Sequence, residues 1–371
     1  MGVISRGIGG AALLLAAGSA MAQSKVTLYG VVDTFVQYLN NGGAGSVSAR
    51  SGGSTGSLVG FKGSEDLGRG VKAVFDLESG FNVNNGGFFV DSSKLFGRQS
   101  WVGLASDDYG RLTFGRQYQP TFWIAYFAEP FRGDEALSPF AAMIVAMDRR
   151  TIATQYAAGR SDNSIVYQSP DVGGFKLYSM YAFADALKQP VPASVGPVFD
   201  VGVTYTGYGL YAGLAYQNQH AGRETLPGLP ADLDQLATEH FTGALAYQLG
   251  IANFQFIYTY ARPKDAPAGS RAAQADAAHP VSTIEVGATI QATAADTVEV
   301  AAVERNVRGA HDNTTGIQLG VDHSLSKRTS LYARAGYMKN HGGATTSWPG
   351  IAVTGTGTSQ TLMAVGLTHR F

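Results

Sequence analysis

The chain has 371 residues, with 27 Lys and Arg against 28 Asp and Glu, a net charge of −1 and no cysteine. A near-neutral balance without a basic run points away from nucleic acid as a partner. The missing thiols exclude disulfide scaffolds and thiolate metal sites. Forty-eight glycines, 18 tyrosines and 19 phenylalanines beside only 15% charged residues suit turn-rich strands with aromatic belts better than a soluble enzyme.

Residues 1–6 carry one positive charge, at Arg6, and an apolar stretch follows over 8–17. Ala20-Met21-Ala22 then presents the small-x-small pattern of a signal peptidase site. This order predicts a signal peptide over 1–22, cleaved after Ala22, and a single mature domain over 23–371. The apolar part is too short to span a bilayer, and nothing later approaches the ~18 to 20 apolar residues of a transmembrane helix.

Period-2 alternation then recurs from end to end, while helical periodicity barely shows. It predicts strands at 25–39, 55–65, 69–80, 95–106, 110–117, 160–169, 174–183 and 198–206. Eight more follow at 209–218, 238–249, 251–262, 280–291, 295–306, 313–324, 328–338 and 359–371. In the last of these, Met363, Val365, Leu367, His369 and Phe371 share a face suited to lipid. Ala364, Gly366, Thr368 and Arg370 share one suited to water.

The links alternate in length. Short turns at Asp66-Leu67-Gly68, Asp107-Asp108-Tyr109, Tyr208 and Gly250 separate long links at 40–54, 81–94, 118–159, 184–197, 219–237, 263–279 and 339–358, with a shorter one at 307–312. Short turns on one side and long loops on the other are the asymmetry of an outer-membrane barrel. The expected fold is therefore all-β, a transmembrane antiparallel β-barrel of about 16 strands. The hairpins around Asp66 and Asp107 share their Asp and Gly turn chemistry, without a duplicated domain.

Catalytic and metal-binding patterns do not hold up. Gly52-Gly53-Ser54-Thr55-Gly56 matches a nucleophile-elbow pattern, but it opens a β-strand from a Gly/Ser-rich loop instead of joining a strand to a helix. The seven histidines are scattered, with no pair at helical zinc-ligand spacing. The expectation is a chain that is not an enzyme and has no metal or other cofactor. The apolar run 140–147, ending in Asp148-Arg149-Arg150, is compatible with a small helix inside the third long loop, but the preferred reading is simple anchoring of that loop against the inner wall.

Several segments resemble one family in order along the whole mature chain. They are Val26-Thr27-Leu28-Tyr29-Gly30-Val31-Val32-Asp33, Gly60-Phe61-Lys62-Gly63-Ser64-Glu65-Asp66-Leu67-Gly68 and Phe75-Asp76-Leu77-Glu78-Ser79-Gly80-Phe81. Phe96-Gly97-Arg98-Gln99, Phe114-Gly115-Arg116-Gln117-Tyr118 and Asn163-Ser164-Ile165-Val166-Tyr167-Gln168-Ser169-Pro170 follow, and Gly366-Leu367-Thr368-His369-Arg370-Phe371 ends the chain. Together they resemble the trimeric general porins of Burkholderia-like and Neisseria-like bacteria.

The resemblance implies a homotrimer in the Gram-negative outer membrane, surrounded by lipid and lipopolysaccharide. It implies passive diffusion of ions and small hydrophilic solutes through a water-filled channel. The third long loop, 118–159, is then folded into the pore. Wall arginines Arg98 and Arg160, with Arg116 as a third, face loop acids Glu129, Asp134 and Glu135 across the constriction. Arg98 is expected to face water, with Trp101 and Gly103 on the opposite, lipid-facing parity. Where the family often carries Arg, two residues before Gly60, this chain has Leu58, which implies modest ion selectivity. Phe371 is implied as the signal read by the barrel assembly machinery. A substrate-selective outer-membrane channel, with Trp123, Tyr126 and Phe127 as an aromatic track, is the alternative. A barrel enzyme lacks a nucleophile and base at the rim, and an adhesive barrel lacks loop repeats.

Overall fold

The computed structural model describes residues 25–89, 93–132, 136–146, 148–155, 159–184, 196–222, 233, 235–352 and 355–371. The leader expected over 1–22 lies outside them. Strands β1 (Lys25–Asn41), β2 (Ala44–Ser51), β3 (Leu58–Gly68), β4 (Val71–Gly80), β5 (Gln99–Ser106) and β6 (Gly110–Tyr118) come first. Two short helices, α1 (Pro120–Tyr126) and α2 (Pro139–Ile144), precede β7 (Arg160–Gln168), β8 (Phe175–Ala182), β9 (Val198–Gly207), β10 (Leu210–Gln219), β11 (Thr238–Leu249) and β12 (Ala252–Pro263). A single-turn helix α3 (Arg271–Gln274) leads to β13 (Val281–Gln291), β14 (Asp296–Val307), β15 (Thr314–Ser324), β16 (Thr329–Asn340) and β17 (Ser359–Arg370).

The sheet closes at β1. Along one edge, Val31 to Asn41 pair with Arg370 to Gln360 of β17. Along the other, Lys25 to Val31 pair with β3 and Thr34 to Asn41 with β2. β2 and β3 are thus two pieces of one stave, so seventeen segments make a closed antiparallel barrel of sixteen. Among the described residues no helix is long and apolar enough to cross a membrane. The closed sheet can cross one, because it leaves no strand edge unpaired in hydrocarbon.

One expected loop is not a loop. The link predicted at 40–54 is a tight hairpin, with Gly42 and Gly43 at φ +66° and +97° and β2 resuming at Ala44. Glycine supplies the two positive-φ positions such a turn requires. The small, polar residues of β2 carry little strand signature, but its backbone pairs with β1 regardless of side chains. The true interruption, 52–57, falls on the Gly-Gly-Ser-Thr-Gly segment.

Alternation sorts the two faces. Val102, Leu104, Leu214, Val286, Met363 and Val365 are exposed on the outer face, while Thr113, Gln217, Gln318 and Thr368 are buried on the inner one. The last strand keeps the phase its sequence predicts. β5 does not. Val102 and Leu104 point outward, and Trp101 shares the inner parity with Gly103. The Trp101 indole donates to Gln99 Oε1 at 3.0 Å and has the Arg111 guanidinium 5.2 Å from its ring. Polar partners explain why this tryptophan is not at the lipid face. Arg98 precedes β5, so strand parity does not govern it.

The inner face is not uniformly polar. Phe35 and Leu39 of β1, Tyr332 and Met338 of β16, and Leu362 and Ala364 of β17 form a buried apolar patch with Trp348. Beside it, the fully buried Asp33 organises the 52–57 interruption. Its carboxylate accepts from Gly53 N at 2.6 Å, Ser54 N at 3.3 Å and Tyr332 Oη at 2.9 Å, and from the Thr368 hydroxyl. Its backbone N–H donates to Ser57 Oγ at 2.9 Å. Asp33→Ala would strip four donors of a charged acceptor at once. The loss expected is on the order of 3 kcal/mol or more, read as a lower urea midpoint for the folded band on unboiled gels. Asp33→Asn should recover part of it, and an unchanged midpoint for the alanine variant would refute the role.

Candidate pore constriction

The connection between β6 and β7 is fixed to the inner wall at successive points. Pro120 starts α1, its preset φ suiting the first helical turn. Asp200 of β9 accepts from Thr121 Oγ1 at 2.8 Å and Thr121 N at 3.2 Å, and from Gln217 Nε2 at 2.8 Å. Ile124 is fully buried against Gly202 and Gly213, where an added Cβ would stand 3.1 and 2.8 Å from its carbons. Tyr211 Oη closes the set by donating to the Ile124 carbonyl at 3.0 Å.

α2 begins at Ser138, whose Oγ accepts from Ala141 N at 3.0 Å. Leu137, Phe140 and Met143 are buried in the cluster that contains the apolar patch of β1, β16 and β17. The anchoring expected of the 140–147 run is therefore present, and a short helix over 139–144, the reading not preferred from sequence, carries it. Next comes a buried ion pair. Arg305 of β14 donates to Asp148 Oδ2 at 2.5 Å, to Thr151 Oγ1 at 2.9 Å and to the Ala146 carbonyl at 3.3 Å. Thr345 donates to Asp148 Oδ1 through both its backbone N–H (2.7 Å) and its hydroxyl (2.6 Å).

The outer limb joins the β12–β13 connection. Ala153 N donates to the Ala277 carbonyl at 3.0 Å and His279 N to the Arg150 carbonyl at 2.8 Å. The His279 ring bridges the Asp276 carboxylate at 2.8 Å and the Arg308 carbonyl at 2.7 Å. That hydrogen bond from His279, aided by the charge of Arg150, holds the Asp276 carboxyl below the usual carboxylate range.

Between this connection and the wall lies a cavity of about 390 Å³. Arg98, Arg160 and Glu129 all line it. Tyr118 brings the two arginines together. Its hydroxyl accepts from Arg98 Nη2 at 3.0 Å and from Arg160 Nη2, and the Arg160 guanidinium lies 4.2 Å from its ring centroid. Glu78 Oε2 stands 3.8 Å from Arg98 Nε. Glu129 is buried and accepts from Ser138 Oγ at 3.1 Å.

Arg116 is not brought to this cavity. It sits where the β6–β7 register shifts, donating to the Gly97 carbonyl and to Asp162 Oδ1, each at 2.6 Å, with Lys94 on the other oxygen of Asp162 at 2.7 Å. Asp134 and Glu135 lie outside the described residues. Leu58 is buried on the inner parity of β3, paired with Gly80, where an added Cβ would meet the Arg98 side chain at 3.2 Å. Sequence reading missed Tyr118, Glu78 and Arg305. Only Arg305 had a usable signal, its inner parity with Val303 on β14.

The sequence pattern of the Gram-negative porin family matches residues 9–343. The chain belongs to the Gram-negative porins. It is 31% identical to outer membrane porin protein 32 of Delftia acidovorans, over 97% of this chain and 98% of that one. An outer membrane porin protein of Bordetella pertussis is 29% identical over the same shares. Among solved structures, an anion-selective porin from Comamonas acidovorans superposes with a TM-score of 0.77 at 27% identity, covering 94% of this chain and all of that one.

This porin is thus an outer-membrane protein whose barrel forms a passive diffusion channel. In it the Asp148–Arg305 pair is the main polar tie of the β6–β7 connection, both side chains being about 1% exposed. Asp148→Ala leaves a buried guanidinium uncompensated, a loss of about 3–5 kcal/mol if nothing moves. The porin should respond by releasing the segment, so trypsin cuts the folded barrel at Arg149 or Arg150 several-fold faster. The double variant Asp148→Ala/Arg305→Met, which removes the stranded charge, should restore resistance. Equal cleavage of wild type and Asp148→Ala would contradict the assignment.

Proposed function

We propose that the third long loop, 118–159, folds into the pore as its narrowest part, and that Arg98 and Arg160, facing Glu129, give it a modest anion preference. One observation carries the reading: both guanidinium groups converge on the Tyr118 hydroxyl in the cavity that Glu129 also lines. In a narrow passage the effective dielectric is below that of water, so facing charges act strongly on a passing ion. Glu78 and Glu129 offset part of the positive field, and Leu58 withholds a third basic group. Selectivity is accordingly weaker than a full arginine cluster would supply.

The test is reversal potential in planar bilayers under a salt gradient well below ~1 M, where the ~3 Å screening length would hide the effect. Leu58→Arg should move it toward anions. Arg98→Ser should move it toward cations and raise conductance by widening the gap. If neither substitution changes either quantity, these residues do not line the narrowest section.

The alternative, a substrate-selective channel, is favoured by a specific feature of α1. The rings of Trp123, Tyr126 and Phe127 lie against one another at centroid distances of 5.6–5.8 Å.

The same reading includes export and assembly. The chain is exported with cleavage after Ala22, and three barrels assemble as a homotrimer among lipid and lipopolysaccharide, with the exposed Val36 and Tyr38 of β1 on the outer face. Phe371 serves the barrel assembly machinery. In support, its backbone and that of Gly30 exchange two hydrogen bonds of 3.1 Å at the closing seam. Unboiled protein should migrate as a heat-modifiable trimer, and deleting Phe371 should lower the folded amount while any folded remainder conducts normally. Monomeric migration without crosslinked trimers, or normal yields of the deletion, would count against this.

A further inference from the structure

The cavity at Tyr118 has two kinds of surface, and ion diffusion uses only one. The second is aromatic. Tyr118 and Phe122 stack at 4.4 Å and 21°, Phe122 and Tyr126 at 5.7 Å and 28°, and Trp123 and Phe127 at 5.8 Å and 21°. Positions 122 and 126, like 123 and 127, are four apart, so α1 stacks each pair on one side of the helix. Packing α1 against the wall does not require these rings. Thr121 and Ile124 make the wall contacts described above and are buried, whereas Phe122, Trp123 and Tyr126 are only partly covered. Tyr118, Phe122, Trp123 and Tyr126 line the same cavity as Arg98 and Arg160.

We propose that this cavity selects anions bearing a flat aromatic ring, arylcarboxylates. Their carboxylate meets the guanidinium groups of Arg98 and Arg160 while the ring lies along the Tyr118–Tyr126 face. A guanidinium and a carboxylate match in planar geometry and charge. A ring laid on aromatic side chains gains from offset stacking that a saturated ring of similar size cannot reproduce. Tyr118 is the positioning residue, since its hydroxyl gathers both arginines and its ring starts the aromatic row. The inference rests on reading this cavity as the narrowest section.

The test compares sodium benzoate with sodium cyclohexanecarboxylate, two seven-carbon carboxylates of equal charge that differ in flatness. Permeabilities relative to chloride come from reversal potentials of the purified porin in planar bilayers. The wild type should favour benzoate by about fivefold. Phe122→Leu, which keeps apolar bulk but removes the ring at the middle of the stacked row, should bring the ratio to about one. Tyr118→Phe should keep the benzoate preference but shift the potassium chloride reversal potential toward cations, because the arginines lose their shared acceptor. Tyr118→Leu should lose both properties. Equal permeabilities in the wild type, or an undiminished ratio in Phe122→Leu, would overturn the proposal. If Arg98→Ser leaves the chloride reversal potential unmoved, the constriction reading itself has failed. If it moves while the two carboxylates permeate equally, only the ring preference is wrong.

Discussion

Hydrocarbon offers no hydrogen bonds, so a sheet that crosses it must pair every backbone group with itself. In this chain that constraint is met at β1, whose upper part pairs with β17 and β2 and whose lower end pairs with β3. Closure then frees the side chains. The outer row needs only to be apolar, and the inner row can serve whatever the lumen requires. The glycine-rich 52–57 interruption is tolerated because Asp33 replaces the missing ladder with its own acceptor atoms.

The inner row serves two purposes at once. Part of it is an apolar patch, an unusual expense inside a water-filled barrel unless something covers it. Leu137, Phe140 and Met143 are buried in the same cluster, each at most 4% exposed, with α2 packed against β13, β14 and β15. Burying three such side chains contributes about 1.5–3 kcal/mol each. The polar ties at Asp200 and Arg305 add direction, since they fix where each end of the connection meets the wall. A segment held by apolar burial in the middle and by charged hydrogen bonds at both flanks keeps its cavity-lining side chains in place. Tyr118 can therefore hold two arginines close together against their mutual repulsion.

The barrel itself was legible because lipid and water impose a period of two, and most strand boundaries, such as β11 at 238–249, match the sequence reading. β2 was missed because glycine, serine and alanine carry no facial contrast. The phase of β5 was misread because a tryptophan was assigned to lipid when hydrogen-bonding partners hold it on the inner face. Arg98, Arg160 and Glu129 were named through family resemblance, and the structure brings them to one cavity. Arg116 was not separable from them in sequence, since its departure depends on a register shift. Asp148 and Arg305 lie 157 positions apart, so only the closed topology reveals them as partners. Tyr118 looked like the end of a strand, and its role appears only when two arginines reach it.

The central claim is that the β6–β7 connection stands in the conducting path, and the absence of native cysteine allows a direct test. A cysteine placed at Trp123, on the cavity side of α1, should react in an open channel with a charged, thiol-specific methanethiosulfonate, and the current should fall in discrete steps. The same reagent on a cysteine at Tyr208, 96% exposed in the β9–β10 turn, should leave the current unchanged. A modified Trp123→Cys channel that conducts like the unmodified one would place the connection outside the path and contradict the account.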